Sequence, residues 1–184
     1  DSAAAAAVLA GYYDVYLRGW LPASKEAAVL DLGCGSGRML RYFLSRGYAN
    51  VAGVDLSPEQ IAAARAVTPS VYQADALAFL AGHEGEFDVI AAFDFVEHLT
   101  KDELFRCLDL CYRALRPGGR IIVHTPNGAS PFVGVLRYGD LTHETCYTET
   151  SLRWALALCG FTAFEAREAG PVAHGAASAV RVVL

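Results

Sequence analysis

The chain has 184 residues, 54% of them hydrophobic and 19% charged, enough apolar content to bury a core and too little charge for a disordered polymer. Its net charge is −5 and its Lys and Arg residues form no cluster, which argues against a nucleic-acid partner. The longest strictly apolar run, AAAAAVLA at 3–10, is too short to span a membrane and follows no basic residue, so neither a membrane segment nor a signal peptide is expected.

The five cysteines, at 34, 107, 111, 146 and 159, form no CxxC pair. Reduced thiols in a cytoplasmic protein are expected, without a disulfide framework or a structural zinc site. The chain starts without methionine and ends on the strand-like AVRVVL, so native residues missing at one or both ends are expected.

In chain order, YYDVYLRGWLP (12–22) reads as an aromatic amphipathic helix, and AVLDL (28–32) as a short buried strand. RMLRYFLSRG (38–47) has apolar residues at helical spacing and stops at a glycine. NVAGVDL (50–56) is strand-like. SPEQIAAARAV (57–67) opens as a helix, with Ser57 as N-cap and Pro58 at the first position. SVYQAD (70–75) and FDVIAAFDF (87–95) are the third and fourth strands, and KDELFRCLDLCYRAL (101–115) is a helix. RPGG (116–119) reads as a turn, and RIIVHTPN (120–127) as a fifth strand with its exit. Residues 126–147 read as one long loop, of a length that is usually functional. A helix over 148–160 follows, and 161–169 and 177–184 look like a pair of edge strands.

Strands alternating with helices at this spacing imply crossover units and a parallel sheet, which binds ligands at the carboxyl ends of its strands. No linker or internal repeat interrupts the chain. One domain over 1–184 is expected, made of an N-terminal helical segment (1–27), a core (28–127) and the loop 126–147.

The stretch VLDLGCGSGRML (29–40) places Gly33, Gly35 and Gly37 directly after the first strand. A dinucleotide fingerprint, G-x-G-x-x-G, fails at Arg38, and a phosphate-binding P-loop fails for want of G-K-[ST]. The spacing is G-x-G-x-G behind the acidic Asp31. This pattern resembles motif I of the class I S-adenosylmethionine (SAM) dependent methyltransferases, of the small-molecule, ubiquinone-biosynthesis-like type. The resemblance continues in family order: GVDLS (53–57), QADAL (73–77), FDVIAAFDFVEHL (87–99) and LRPGGRIIVHTPN (115–127) are similar to the later motifs.

The resemblance implies an α/β, Rossmann-like, doubly wound and mostly parallel seven-stranded sheet with an antiparallel C-terminal edge strand. It implies SAM as cofactor and S-adenosylhomocysteine as product. SAM carries no phosphate, so carboxylates and bare backbone suit it better than an anion hole. The cofactor side is expected to comprise Asp31, Gly33, Cys34, Gly35, Gly37, Asp55, Leu56, Asp75, Ala76, Phe93 and Tyr13. Among them, Asp55 suits the ribose hydroxyls, Asp75 the adenine amino group, Ala76 the adenine ring through its amide, and Asp31 the ammonium group. Bland alternatives stand beside these: Asp31 as a turn cap, Asp55 as a charge on the next helix, Tyr13 as packing. Cys34 reads as a packing residue, although a helix start can lower a thiol pKa.

Methyl transfer from a sulfonium needs alignment above all, and needs a base only where the acceptor must lose a proton. The candidates for that base are His98, His124, His143 and Glu144, with His143 the sharpest because Asp140 and Glu144 flank it. GDLTHETCYTETSL (139–152) is similar to a segment of methyltransferases acting on small metabolites or sugars. The bland alternatives are a helix-start histidine bonded to backbone for His98, a satisfied core histidine for His124, and a loop histidine that packs and caps the next helix for His143. A carboxylate-rich metal site around Asp94 and Glu97 stays open as an alternative, but they offer no strong metal-ligand spacing, so no metal is expected. The expected function is O-methylation of a small-molecule hydroxyl, with no nucleic acid or membrane partner and no oligomeric state implied. A non-catalytic SAM-binding regulator and a nicotinamide-dependent oxidoreductase stay open as alternatives.

Overall fold

Five apolar runs become strands: β1 (Ala28–Leu32), β2 (Asn50–Asp55), β3 (Val71–Gln73), β4 (Phe87–Phe93) and β5 (Leu115–His124). In this computed structural model residues 3–169 are described, with side chains from residue 7 onward. The strands pair in parallel in the order β3-β2-β1-β4-β5. Leu32, the last residue of β1, lies opposite Val54 of β2 on one side and Ala92 of β4 on the other. The chain winds outward from β1 in one direction and from β4 in the other, so the switch point of the sheet falls at the carboxyl ends of β1 and β4.

The central strands are apolar on both faces because helices cover both faces of a parallel sheet. Leu30, Leu32, Val54 and Ile90 are fully buried, and Leu80 and Leu108 from the helices meet the same core. Each buried leucine contributes roughly 1.5–3 kcal/mol through the apolar area removed from water.

The helices are α1 (Ala3–Tyr16), α2 (Arg38–Ser45), α3 (Pro58–Ala64), α4 (Ala76–Leu80), α5 (Lys101–Ala114), α6 (Val133–Gly139) and α7 (Glu149–Leu158). The cap read from the sequence forms: the Ser57 hydroxyl accepts from Gln60 N at 3.2 Å, with Pro58 opening α3. Thr100 and Glu103 close a capping box on α5, which stabilises its first turn by about 1 kcal/mol. None of the described helices is long and apolar enough to cross a membrane.

The chain divides into two units, Ser24–Phe164 and the pair Asp1–Ala23 with Glu165–Leu184. The sheet and helices α2 to α7 belong to the first. In the second, α1 starts at the alanine run and ends at Tyr16, earlier at both ends than the helix expected over 12–22. There the Arg167 guanidinium lies 4.2 Å over the Trp20 ring and donates to Arg18 O at 2.6 Å.

Four expectations change. RPGG is no free-standing turn: β5 begins at Leu115, and residues 116–119 bulge out opposite Asp88 before pairing resumes at Val89↔Arg120. The Arg116–Asp88 ion pair at 2.7 Å closes that bulge. The short α4 has too few residues to show a period, and Asp75 caps it. The segment 126–147 contains α6 and is tied by a bridge between Asn127 and Tyr147, so it is not one irregular loop. Five parallel strands are present among the described residues. No strand is assigned over 161–169, and 177–184 lies outside the described residues.

Candidate functional site

The glycine loop joins β1 to α2 at the switch point. Gly33 adopts φ +65°, a region L side chains rarely enter, and a Cβ there would lie 2.6 Å from Cδ2 of Phe95. The loop is stitched to β2 by Cys34 N donating to Val54 O at 3.0 Å. It is held from outside by Asp55, whose Oδ2 accepts from Gly35 N and whose Oδ1 accepts from Ser57 N, both at 2.8 Å. An ionised carboxylate has about four lone-pair sites, so two amides leave each oxygen with capacity for a further donor.

Asp31 is 2% exposed on β1. Burial, with the Asp55 charge adding to it, pushes its carboxyl up to about 8. Cys34 is buried, and Gly53 has room for no Cβ because the Cys34 sulfur would lie 2.8 Å from it. Burial first, then Asp31 and Asp55, push the thiol up to about 12. Burial thus outweighs any lowering by the helix start, and Cys34 is a packing residue, as the sequence reads, with its backbone left for a ligand.

Leu56, next to Asp55, leaves 71% of its surface exposed. Asp75 caps α4 through Oδ1, which accepts from Ala78 N at 2.8 Å. Ala76 opens that helix and is buried. Phe93 ends β4, its ring stacked on His124 at 5.4 Å between centroids. These residues sit at the carboxyl ends of β1 to β4, as expected. Tyr13 lies on α1, in the other unit.

A short 3-10 turn, Val96–His98, follows β4. His98 Nδ1 lies 3.2 Å from Thr142 O and 2.9 Å from the Thr142 hydroxyl, which donates in turn to Asp140 Oδ1 at 2.6 Å. His143 Nδ1 lies 2.9 Å from Leu136 O, and the two imidazoles meet edge to face at 4.9 Å. A carbonyl oxygen only accepts, so each Nδ1 is the donor and each Nε2 of the neutral ring holds the lone pair.

Glu97 is 1% exposed beside them, and its Oε2 is buried without a hydrogen-bond partner. Burial pushes this carboxyl up, with Asp94 adding to it, while its backbone, Thr125 and His98 draw it back in part. Glu97, His98 and His143 each place one ligand atom within 4.8 Å of the others. One carboxylate and two Nε2 atoms, each ring anchored through Nδ1, form a donor set that can take a divalent cation. No sequence spacing announces this set, because His143 arrives on a distant loop. Glu144 is brought to the same place by its backbone: its N–H donates to Glu97 O at 2.8 Å and its carbonyl accepts from Arg137 at 2.7 Å.

A second pair was not legible in the sequence as a pair. His124 at the end of β5 places Nδ1 2.7 Å from Asp94 Oδ1, and Asp94 N donates back to His124 O at 3.0 Å.

A family model for a methyltransferase domain matches residues 29–119. The ubiquinone biosynthesis O-methyltransferase of Psychrobacter cryohalolentis is 34% identical over 107 residues, covering 54% of this chain and 40% of that protein. The protein of the same name from Chelativorans sp. is 33% identical over 131 residues, covering 68% and 47%. The chain thus spans less than half the length of these relatives. A solved SAM-dependent methyltransferase from Archaeoglobus fulgidus matches with a TM-score of 0.75 at 26% identity, over 97% of this chain and 84% of that one. A SAM-dependent methyltransferase from Mesorhizobium loti shares the fold, with a TM-score of 0.62 at 24% identity over 79% of each chain.

Proposed function

We propose that the chain is a class I SAM-dependent methyltransferase, and on that premise that it methylates a hydroxyl oxygen of a small-molecule acceptor. The observation that carries this reading is the Asp55 carboxylate closing onto the glycine loop at the switch point of the sheet. The residues there fit SAM. Asp55 keeps lone pairs for two ribose hydroxyls, and Leu56 offers exposed apolar surface for the nucleoside. The Asp75 oxygen outside its cap bond and the Ala76 amide suit the adenine edge. Asp31 suits the ammonium group, with the backbone of Gly33, Cys34, Gly35 and Gly37 against the amino-acid tail and Phe93 bordering the nucleoside. SAM supplies a methyl on a sulfonium, already a good leaving group, so the chain's task is chiefly to align the acceptor.

His143 and His98 form the acceptor side, where their Nε2 atoms accept hydrogen bonds from donor groups of the acceptor other than the reacting hydroxyl. Glu144 secures that wall through its backbone. His143→Ala is expected to lower kcat/KM for the acceptor at least tenfold and to leave SAM affinity unchanged. Steady-state kinetics beside calorimetric titration with SAM separates the two, and an unchanged kcat/KM removes His143 from the site.

The reading as a whole is tested by titrating the protein with SAM, S-adenosylhomocysteine and NADH. Binding of the first two and not the third is expected. Binding of NADH alone overturns the reading in favour of a nicotinamide-dependent oxidoreductase. SAM binding without turnover on any hydroxyl acceptor favours a non-catalytic SAM-binding regulator.

One observation favours a second reading, in which a divalent cation held by Glu97, His98 and His143 polarises the acceptor hydroxyl. Dialysis against EDTA then lowers turnover more than tenfold, and a stoichiometric divalent cation restores it. Full turnover in chelated protein of sub-stoichiometric metal content leaves the histidines as plain hydrogen-bonding groups.

A further inference from the structure

We propose that the Asp94–His124 dyad, and not the loop histidine His143, is the general base that removes the acceptor's hydroxyl proton. The inference rests on the methyltransferase reading above. Four observations support it.

The first is orientation. His124 Nδ1 sits 2.7 Å from Asp94 Oδ1, and a carboxylate only accepts, so Nδ1 carries the proton and Nε2 holds the lone pair. Two contacts hold the ring, that bond and the Phe93 ring stacked at an interplanar angle of 9°, and the Asp94 N–H on the His124 carbonyl at 3.0 Å ties the two backbones together. A base so held loses little entropy in reaching the proton.

The second is charge. Taking a proton makes the imidazole cationic, and Asp94 lies in contact to stabilise that cation. His143 has no carboxylate in hydrogen-bond contact: its Nδ1 faces the neutral Leu136 carbonyl, an Asp140 oxygen lies 3.9 Å from its Nε2, and Glu97 offers an oxygen within 4.8 Å.

The third is access. The His124 side chain is 39% exposed at the end of β5, beside Phe93 at the end of β4, one strand from the switch point. The His143 side chain is only 12% exposed.

The fourth is strain. Asp94 adopts φ +50°, and among the described residues it is the only one other than glycine with a positive φ. Such a conformation persists only where its surroundings hold it, and it aims this carboxylate at the imidazole.

In the step itself the acceptor oxygen forms a bond to the methyl carbon, the C–S bond breaks with its electron pair going to sulfur, and the hydroxyl proton passes to His124 Nε2. The charge balances: the cationic sulfonium becomes a neutral thioether as the neutral imidazole becomes an imidazolium beside Asp94.

The charged and titratable groups around the pair are Glu97 near His124, and Arg38 and His98 near Asp94. The Asp94 hydrogen bond raises the His124 pKa above its ordinary value, burial opposes this, and the charges of Asp94 and Glu97 add to the rise. Only the neutral ring accepts a proton, so kcat/KM rises with pH through that raised pKa.

The test compares wild type, His124→Gln and Asp94→Asn for SAM affinity by calorimetry and for kcat/KM across pH. His124→Gln is expected to bind SAM as wild type does and to lose roughly 10²–10⁴-fold in turnover. Asp94→Asn, a change at a positioning residue, is expected to move the acidic limb of the profile to lower pH. Added imidazole is expected to restore turnover in His124→Ala in proportion to its concentration. Turnover of His124→Gln within threefold of wild type, or an unmoved limb in Asp94→Asn, overturns the dyad. Should His124→Gln misfold, imidazole rescue of a SAM-binding His124→Ala decides the matter, and no rescue overturns it. Failure of wild type to bind SAM is a different result, which removes the methyltransferase reading itself.

Discussion

Replacing Asp55 with alanine is expected to weaken SAM binding by one to two orders of magnitude, roughly 1.5–3 kcal/mol, the range for a hydrogen bond to a charged group. Two losses combine. The carboxylate can no longer accept from the ribose hydroxyls, and the Gly35 and Ser57 amides lose their acceptor, which frees the glycine loop from the end of β2. Asp55→Asn separates these: its single carbonyl oxygen can keep one amide bond but offers fewer lone pairs to a diol. Asparagine should therefore fall between wild type and alanine. Calorimetric titration measures all three, and an alanine variant within twofold of wild type removes Asp55 from the cofactor site.

Asp31→Asn is expected to change both the pH dependence of stability and the protons released on SAM binding. The Asp31 carboxyl is raised from 3.8 to about 8 in the folded chain, by burial first and by Asp55 second. A carboxyl with a raised folded pKa binds its proton more tightly when folded than when unfolded. Its stabilising contribution is complete below pH 4 and is lost as pH rises through 8. At about 1.4 kcal/mol per pKa unit, that loss has an upper bound on the order of 6 kcal/mol. Denaturant unfolding at several pH values should show a decline from pH 4 to 8 in wild type that is shallower in Asp31→Asn.

A cationic ammonium group brought near Asp31 favours the ionised form, so SAM binding at pH 7 should release up to about one proton. Calorimetry in buffers of different ionisation enthalpy counts that proton, and the asparagine variant should release none from this position. Equal proton release in both proteins would show that Asp31 ionises elsewhere in the pH range or lies away from the ammonium group.

The strands over 28–32, 50–55 and 87–93, the Ser57 cap and the glycine loop were legible because each depends on residues within a few positions. A short apolar run bounded by turn residues has few other ways to hide its side chains, and a serine directly before a proline caps the helix that the proline opens. The bulge at 116–119 was read as a turn because Pro117, Gly118 and Gly119 carry the same local signal in both settings. Its partner, Asp88, lies on another strand. Helix α4 was too short for a hydrophobic period, and α6 lies in a stretch that reads as loop.

The site divides along the same line. Asp31, Asp55 and the glycines were placed together from the sequence because they lie on one βα turn and at the end of the next strand. Cys34 reads as a packing residue in the sequence and is one in the structure, but that its thiol is pushed up follows from burial beneath Gly53, which no local feature shows.

The amino-acid sequence by itself determined the order and type of the main elements, the parallel sheet and the place of the cofactor loop, since hydrophobic period, caps and turn residues act over short range. Only the tertiary structure decided that Asp94 meets His124, that His98 meets His143, and that Glu97 is buried among them. Those partners come from different strand ends and a distant loop. Which carboxylate faces which imidazole is set by strand pairing between β4 and β5 and by the tether of Glu144 to Glu97, neither of which has a spacing in the sequence.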